Sequence, residues 1–83
     1  MNKKKLTLIE TFTLAFENHK KNNLKEAENL YKKVLEMNPN HFKSILYLGT
    51  LLGQTNKLDL AKPFLQKAIQ INPNDIKVHN NLG

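Results

Sequence analysis

The chain repeats one sequence pattern at a fixed offset of 34 residues, and this repeat restricts the possible folds more than any other feature. The clearest matched pairs are Ala27 and Ala61, Leu35 and Ile69, and Pro39 and Pro73. Self-similarity with a period of about 20–50 residues is typical of stacked arrays, in which each unit packs only on its neighbours. The sequence therefore predicts one structural unit copied along the chain.

Each unit contains the apolar spacing of two short helices. In the first unit, apolar residues from Leu8 to Phe16 fall on one helical face, and the second helix stops at Asn38-Pro39 because the residue before a proline is pushed out of the helical region. The predicted helices cover about 6–20, 25–37, 41–52 and 58–71, and a fifth begins near Ile76.

Small residues occur where these helices are expected to pack closely, and turn-forming residues occur between them. Ala15 and Gly49 on the first helices would let the second helices approach closely. Asn22 and Asn56 occupy the turns, and asparagine tolerates the left-handed backbone that a tight turn needs. Pro63 falls in or just beyond the first turn of the fourth helix. It destabilises the helix little in the first turn and kinks it further along.

The composition is that of an ordinary globular chain, with 40% apolar residues, 24% charged residues and no cysteine. Disulfides and thiolate metal sites are therefore excluded. The lysines before Leu6 and the apolar residues up to Ile9 briefly imitate a secretory signal, but Glu10 interrupts them. No run approaches the length of a membrane span. These features favour a cytoplasmic protein.

The net charge of +6 raises the question of nucleic-acid binding. All 13 basic residues are lysines, and they are scattered along the chain except for the block 3–5. Base readout and bidentate phosphate contacts depend heavily on arginine. The charge therefore indicates a solvated lysine-rich surface, and a nucleic-acid partner is disfavoured.

The pattern of Leu-Gly or Leu-Ala, then alanine, then an apolar or aromatic residue, then proline resembles the tetratricopeptide repeat. The signature positions are Leu14, Ala15, Ala27, Tyr31 and Pro39 in the first copy, Leu48, Gly49, Ala61, Leu65, Ala68 and Pro73 in the second, and Leu82 and Gly83 in the third. The resemblance implies an all-α fold, a right-handed stack of antiparallel helix hairpins (an α-solenoid) with two full repeats and part of a third. The implied divisions are a tail at 1–7, repeats at 8–41 and 42–75, and the first helix of a truncated repeat at 76–83.

The same resemblance implies a non-catalytic module, a helical scaffold that binds a protein or peptide. In this family the first helices of the repeats line a concave groove. The corresponding residues are Ile9, Phe12, Thr13, Phe16 and Lys20 in the first unit, Lys43, Leu46, Tyr47, Thr50 and Gln54 in the second, and Lys77, Asn80 and Asn81 in the third. Apolar residues interspersed with lysines suit a peptide that carries acidic groups.

Two better-defined ligand classes of the family fit less well. Family members that bind a C-terminal carboxylate have asparagines at the positions of Thr13 and Tyr47. Arrays fused to sugar transferases bind a peptide backbone through a ladder of asparagines, of which only Asn81 is present here. His19, His41 and His79 lack metal-ligand spacing, and the chain has no catalytic triad and no phosphate-binding glycine loop. We therefore expect no enzyme activity, no metal and no cofactor within these residues.

Two other interpretations remain open. The expected interaction module would be the N-terminal part of a longer repeat array, whereas the abrupt end after Leu82-Gly83 would also fit the N-terminal repeat region of a glycosyl-, sulfo- or methyltransferase. Alternatively, the first helix carries more apolar residues, from Leu6 to Phe16, than one covered side requires. Since exposed apolar patches mark interfaces, the protein would then form homo-oligomers through its open repeat ends.

Overall fold

Four helices form the part of the chain that the computed structural model describes, residues 6–73. They are α1 (Leu8–Lys20), α2 (Leu24–Met37), α3 (Phe42–Gln54) and α4 (Leu58–Ile71). Helix α1 packs against α2, α3 packs against α4, and α2 joins the two hairpins by packing against α3. The predicted all-α fold of stacked helix hairpins is confirmed for the described residues.

The helix boundaries differ from the predicted ones by a few residues, except in α4, which was predicted correctly. Helix α3 runs to Gln54 because Gly53 keeps an ordinary negative φ and does not break it. Pro63 is the sixth residue of α4, beyond the first turn, and the helix continues through it to Ile71. The predicted fifth helix from Ile76 lies outside the described residues.

Both hairpin turns have the same asparagine geometry. Asn22 and Asn56 adopt φ values of 68° and 62°. In the first turn the amide of Asn22 donates to the carbonyl of His19 at 3.1 Å, and the amide of Asn23 donates to that of Asn18 at 2.8 Å. The second turn repeats this pair of bonds, which defines the Schellman motif that ends many helices. The two asparagines therefore replace the glycine that usually takes the left-handed position.

We expect Asn56→Val to lower the free energy of unfolding by about 1–2 kcal/mol, because a side chain branched at Cβ collides with the backbone at positive φ. Asn56→Gly keeps the turn without that collision and should leave stability nearly unchanged. Urea unfolding followed by circular dichroism measures both variants. Equal stability of the valine and glycine variants would contradict a left-handed residue at this turn.

The N-terminus of α1 is closed by a capping box. The amide of Glu10 donates to the Thr7 hydroxyl at 3.1 Å, and the amide of Thr7 donates to the Glu10 carboxylate at 2.9 Å. Each bond satisfies an amide that the helix leaves without a partner. This cap fixes where α1 begins and so which of its side chains face α3.

The core lies between the helices and is built largely from the repeated positions. Alanines occur where helices approach most closely, and larger apolar side chains fill the space around them. The buried apolar residues are Ala15, Ala27, Leu30, Tyr31, Val34, Ile45, Leu46, Leu48, Leu51, Leu52, Ala61, Leu65 and Ala68. On the second helices, burial recurs at equivalent positions of the two units, so α2 and α4 share one packing scheme.

Candidate peptide-binding groove

Three aromatic rings line the face formed by α1 and α3. Phe12 and Phe16 lie one turn apart on α1 with ring centroids 6.2 Å apart. Tyr47 of α3 lies 6.1 Å from Phe12 and 5.4 Å from Phe16. All three side chains are half-buried. The predicted groove residues Phe12, Phe16 and Tyr47 thus form one partly exposed aromatic patch.

Lysines stand at the two ends of this patch. The Nζ atom of Lys20 lies 5.4 Å from the ring centroid of Phe16, in the last turn of α1. Lys43 lies in the first turn of α3, next to Ser44 and two residues beyond His41, whose ring is 5.3 Å from Phe12. Both lysines are exposed, and α3 carries no acidic residue. The predicted groove residues on α1 and α3 therefore include an aromatic centre and an exposed lysine near each end.

The remaining predicted groove residues play different roles. Thr13 and Thr50 donate their hydroxyl protons to the carbonyls of Ile9 and Leu46, at 2.8 and 2.9 Å, within their own helices. Ile9 is 74% exposed, whereas Leu46 is 3% exposed and packs in the core. Lys77, Asn80 and Asn81 lie outside the described residues. The apolar surface that a ligand could contact on this face is consequently the aromatic patch, because Leu46 is buried.

The sequence did not identify His19 as part of this site. Its Nδ1 lies 3.0 Å from the Tyr31 hydroxyl on α2, and its Nε2 lies 2.8 Å from Oε1 of Gln54 on α3. The Gln54 side chain, a predicted groove residue, is therefore held by α1. No local sequence pattern predicts this contact, since residues 19 and 54 meet only after the two hairpins have packed.

Most signature positions of the repeat are buried, but three of those described are on the surface. Leu14, Pro39 and Pro73 are exposed, while the others in the described range lie in the core. Leu82 and Gly83 are outside that range. The exposed prolines fit a role in ending helices rather than in packing.

His41 caps α3 and adjoins the groove. The amide of Ser44 donates to Nδ1 of His41 at 3.2 Å, so this nitrogen must carry a free lone pair. Partial burial, and then the nearby charge of Lys43, lowers the pKa of His41 below its ordinary value of 6.5. Both effects favour the neutral imidazole that the cap requires.

The lowered pKa of His41 makes the stability of the protein depend on pH. The unfolded chain binds this proton more readily than the folded one, so the His41 contribution is complete above about pH 6.5 and declines as pH falls below that value. We expect His41→Asn, which retains a capping side chain, to flatten this part of the pH profile. Chemical unfolding of both proteins across the range measures the difference, and parallel profiles would contradict the account.

Apolar surface is also exposed at both ends of the described stack. Leu6, Ile9 and Leu14 are exposed at the α1 end. At the other end, an open cleft of about 680 Å³ lies between α3 and α4. Its lining residues are Gly49, Thr50, Gly53, Gln54, Leu58, Asp59, Ala61, Lys62 and Leu65. The excess of apolar residues expected on the first helix is therefore found at its surface.

The described residues contain neither a metal-binding cluster nor a membrane-spanning helix. No three of the histidine, aspartate and glutamate side chains between residues 6 and 73 lie in a group that could hold a metal ion. Over the same range, no helix has the length and apolar character needed to cross a membrane.

Known proteins share this repeat pattern. The tetratricopeptide repeat model matches residues 19–82. Tetratricopeptide repeat protein 7B of Homo sapiens is 36% identical over 58 residues, which are 70% of this chain and 7% of that protein. The Sol locus transcriptional repressor of Clostridium acetobutylicum is 34% identical over 59 residues, 71% of this chain and 19% of the repressor. The chain thus spans only a small part of the length of each relative. Because the family model matches most of its residues, the chain belongs to the tetratricopeptide repeat family.

Proposed function

We propose that this protein is a non-catalytic interaction module whose α1–α3 groove binds an acidic peptide or an acidic segment of a protein. The family supports a protein-interaction role in general. The observation that carries the finer proposal is the aromatic patch of Phe12, Phe16 and Tyr47, with Lys20 and Lys43 at its ends.

Aromatic side chains are suited to anchor a ligand because they offer a large contact area at a low cost in conformational entropy. From Lys43 to Gln54, the groove extends about 16 Å along α3, at roughly 1.5 Å per residue. An extended peptide of about five residues spans that length. An apolar or aromatic side chain could then rest on the patch while carboxylates on either side meet the lysines.

The lysines would contribute mainly to orientation and to the rate of association. Charges at the rim of an interface are solvated, and their attraction is screened by salt. We infer that a ligand binds by its apolar anchor, and that its acidic residues select the register.

Selection from a random peptide library displayed on phage tests this proposal with the full chain as bait. We expect enriched peptides to carry an apolar or aromatic residue flanked by Asp or Glu, and to bind less tightly at high ionic strength. Enrichment of basic peptides, or recovery of no specific binder, would contradict an acidic-peptide groove.

The proposed repeat boundaries remain 8–41 and 42–75, with 76–83 beginning a third unit. Support comes from the family match, which continues beyond Pro73 to residue 82. A third unit would add the groove residues Lys77, Asn80 and Asn81 and so extend the positive surface.

Self-association is a second candidate role, because apolar side chains are exposed at the α1 end and in the cleft between α3 and α4. One obstacle lies on α1. Glu10 and Glu17 occupy the repeat positions that Ser44 and Leu51 hold on α3, where both are buried. Burying these carboxylates in a stacked copy would be costly unless each is paired. Sedimentation over a range of concentrations distinguishes the cases: a constant monomer mass excludes self-association.

A further inference from the structure

Two open cavities lie at the α1 end of the described stack and meet at Leu6. The first, of about 380 Å³, runs along the outer side of α1 from Leu6 to Glu17. The second, of about 450 Å³, lies between Leu6 and the last two turns of α2, as far as Met37. No residue of α3 or α4 lines either cavity. We call the surface that the two cavities share the end face.

Apolar side chains make up much of the end face. Leu6, Leu14 and Met37 are 44%, 38% and 47% exposed, although each is a large hydrophobic residue. Apolar side chains that gather at the surface of a protein mark a site of interaction with another molecule. Because no residue of the second hairpin lines the cavities, this apolar surface is available to a partner.

The end face is acidic, although the chain as a whole has a net charge of +6. The charged residues that line its two cavities are three glutamates, Glu10, Glu17 and Glu36, and one lysine, Lys33. All four side chains are exposed. Carboxylates that lose their water are costly unless they are paired. A partner that covers this surface must therefore supply positive charge.

The second unit shows where a helix would lie on the end face. Helix α3 packs against both α2 and α4, and its Leu48 and Leu51 are fully buried. The repeat-equivalent residues of α1 are Leu14 and Glu17, which are exposed. Among the described helices, α1 has α2 in the place of α4 but no helix in the place of α2. A partner helix that takes this place would run along Leu14 and Glu17.

The spacing of the end-face residues defines what such a helix should carry. Glu10, Leu14 and Glu17 fall on one stripe of α1, because residues three and four apart share a helical face. The two glutamates therefore lie two turns apart, about 10 Å along the axis, with Leu14 between them. The amide of Thr7 donates to the Glu10 carboxylate at 2.9 Å and holds it at the start of the helix. Lysine or arginine suits both positions, since its aliphatic stem covers apolar surface while its charged end reaches a carboxylate.

We propose that the end face binds a basic amphipathic helix of a partner protein. Two lysines or arginines, seven residues apart on one side of that helix, pair with Glu10 and Glu17, and an apolar residue between them packs on Leu14. The site lies beside the α1–α3 groove but uses neither its aromatic patch nor its lysines. The proposal therefore does not depend on what the groove binds.

A second copy of this chain fits the end face less well. Among the described helices, only α2 carries lysines seven residues apart, Lys25 and Lys32. The residues between them on that side of α2 are Glu28 and Asn29, and Glu28 already pairs with Lys32 at 2.9 Å. Neither residue offers an apolar contact to Leu14, and Glu28 would bring another carboxylate to an acidic surface. A different protein is therefore the better occupant.

Titration of the full chain with a designed helical peptide tests the proposal. The peptide carries two lysines seven residues apart and a leucine midway between them on the same side, and backbone amide shifts of the nitrogen-15-labelled protein report where it binds. We expect the largest shifts around Leu6, Leu14 and Glu17. Because the positively charged protein repels a basic peptide overall, general electrostatic attraction does not produce such binding. Absence of binding, or shifts centred on the aromatic patch, would overturn the proposal.

Matched controls distinguish the predicted pairing from binding by chance. A peptide of the same composition with one lysine moved to the opposite side should bind about fivefold less tightly, because it pairs with only one glutamate. Glu17→Lys should weaken binding of the first peptide by at least the same factor. Glu26→Lys, the same change at an exposed residue of α2 that lines neither cavity, should have little effect.

Equal affinities of the two peptides, or equal losses from the two variants, would contradict the predicted pairing and overturn the proposal. Shifts of the end face that depend on protein concentration without any peptide would assign this surface to a second copy and overturn it as well. If Glu17→Lys fails to fold, the comparison of the two peptides with the unaltered protein decides the matter.

Discussion

Gly49→Leu is expected to lower the free energy of unfolding by about 3 kcal/mol, the upper part of the usual range for an overpacked core. A Cβ atom placed on Gly49 would lie 2.9 Å from Cδ2 of Leu65 and 3.2 Å from Cβ of Phe64 on α4. The end of the Leu65 side chain could shift, but the Phe64 atom moves only with its helix. A leucine side chain would therefore force α3 and α4 apart.

Gly53 provides a matched control on the same helix, one turn further along. A Cβ atom there meets no atom within 4 Å, so Gly53→Ala creates no collision. We expect it to raise stability by about 0.5 kcal/mol, because alanine favours the helix more than glycine does. Thermal and urea unfolding measure both variants. A Gly49→Leu protein as stable as the unaltered one would contradict the close α3–α4 contact.

Reversing both groove lysines, as Lys20→Glu with Lys43→Glu, should weaken the binding of an acidic peptide by about 30-fold. Each exposed ion pair contributes up to about 1 kcal/mol. The total for two positions is therefore roughly 2 kcal/mol, or about 30-fold in the dissociation constant. The aromatic patch should remain intact, because both lysines are exposed and lie at its ends. Isothermal titration calorimetry with a selected peptide provides the measurement.

Lys25→Glu with Lys33→Glu is the control for net charge, since these exposed lysines lie on α2, away from the α1–α3 face. It changes the total charge equally and should reduce affinity only slightly. Equal losses for the two double variants would mean that the overall field of the protein, rather than the groove, attracts the peptide.

The repeat register predicted much of the fold because it depends on local spacing. Apolar periodicity located the four described helices, and the asparagines of the turns were identified by their tolerance of positive φ. The end of α3 was misjudged because a glycine near a helix end is compatible with either a turn or a continuing helix. Pro63 was ambiguous for a similar reason, since the first residue of α4 was not fixed by a strong cap.

The contacts among the predicted groove residues could be predicted only in part, because they form between the two units. The register placed Phe12, Phe16 and Tyr47 on first helices, but it could not show that their rings would meet. The family resemblance placed Leu46 among the groove residues, whereas the structure buries it in the core. The role of His19 was missed altogether, since its partners Tyr31 and Gln54 lie 12 and 35 residues away.

Backbone amide chemical-shift mapping of the whole chain, titrated with a selected acidic peptide, tests the central claim most directly. The account predicts that the largest shifts occur along α1 and α3 around Phe12, Phe16, Lys43 and Tyr47. Shifts confined to the outer surfaces of α2 and α4, or to the cleft around Gly53 and Leu58, would contradict it.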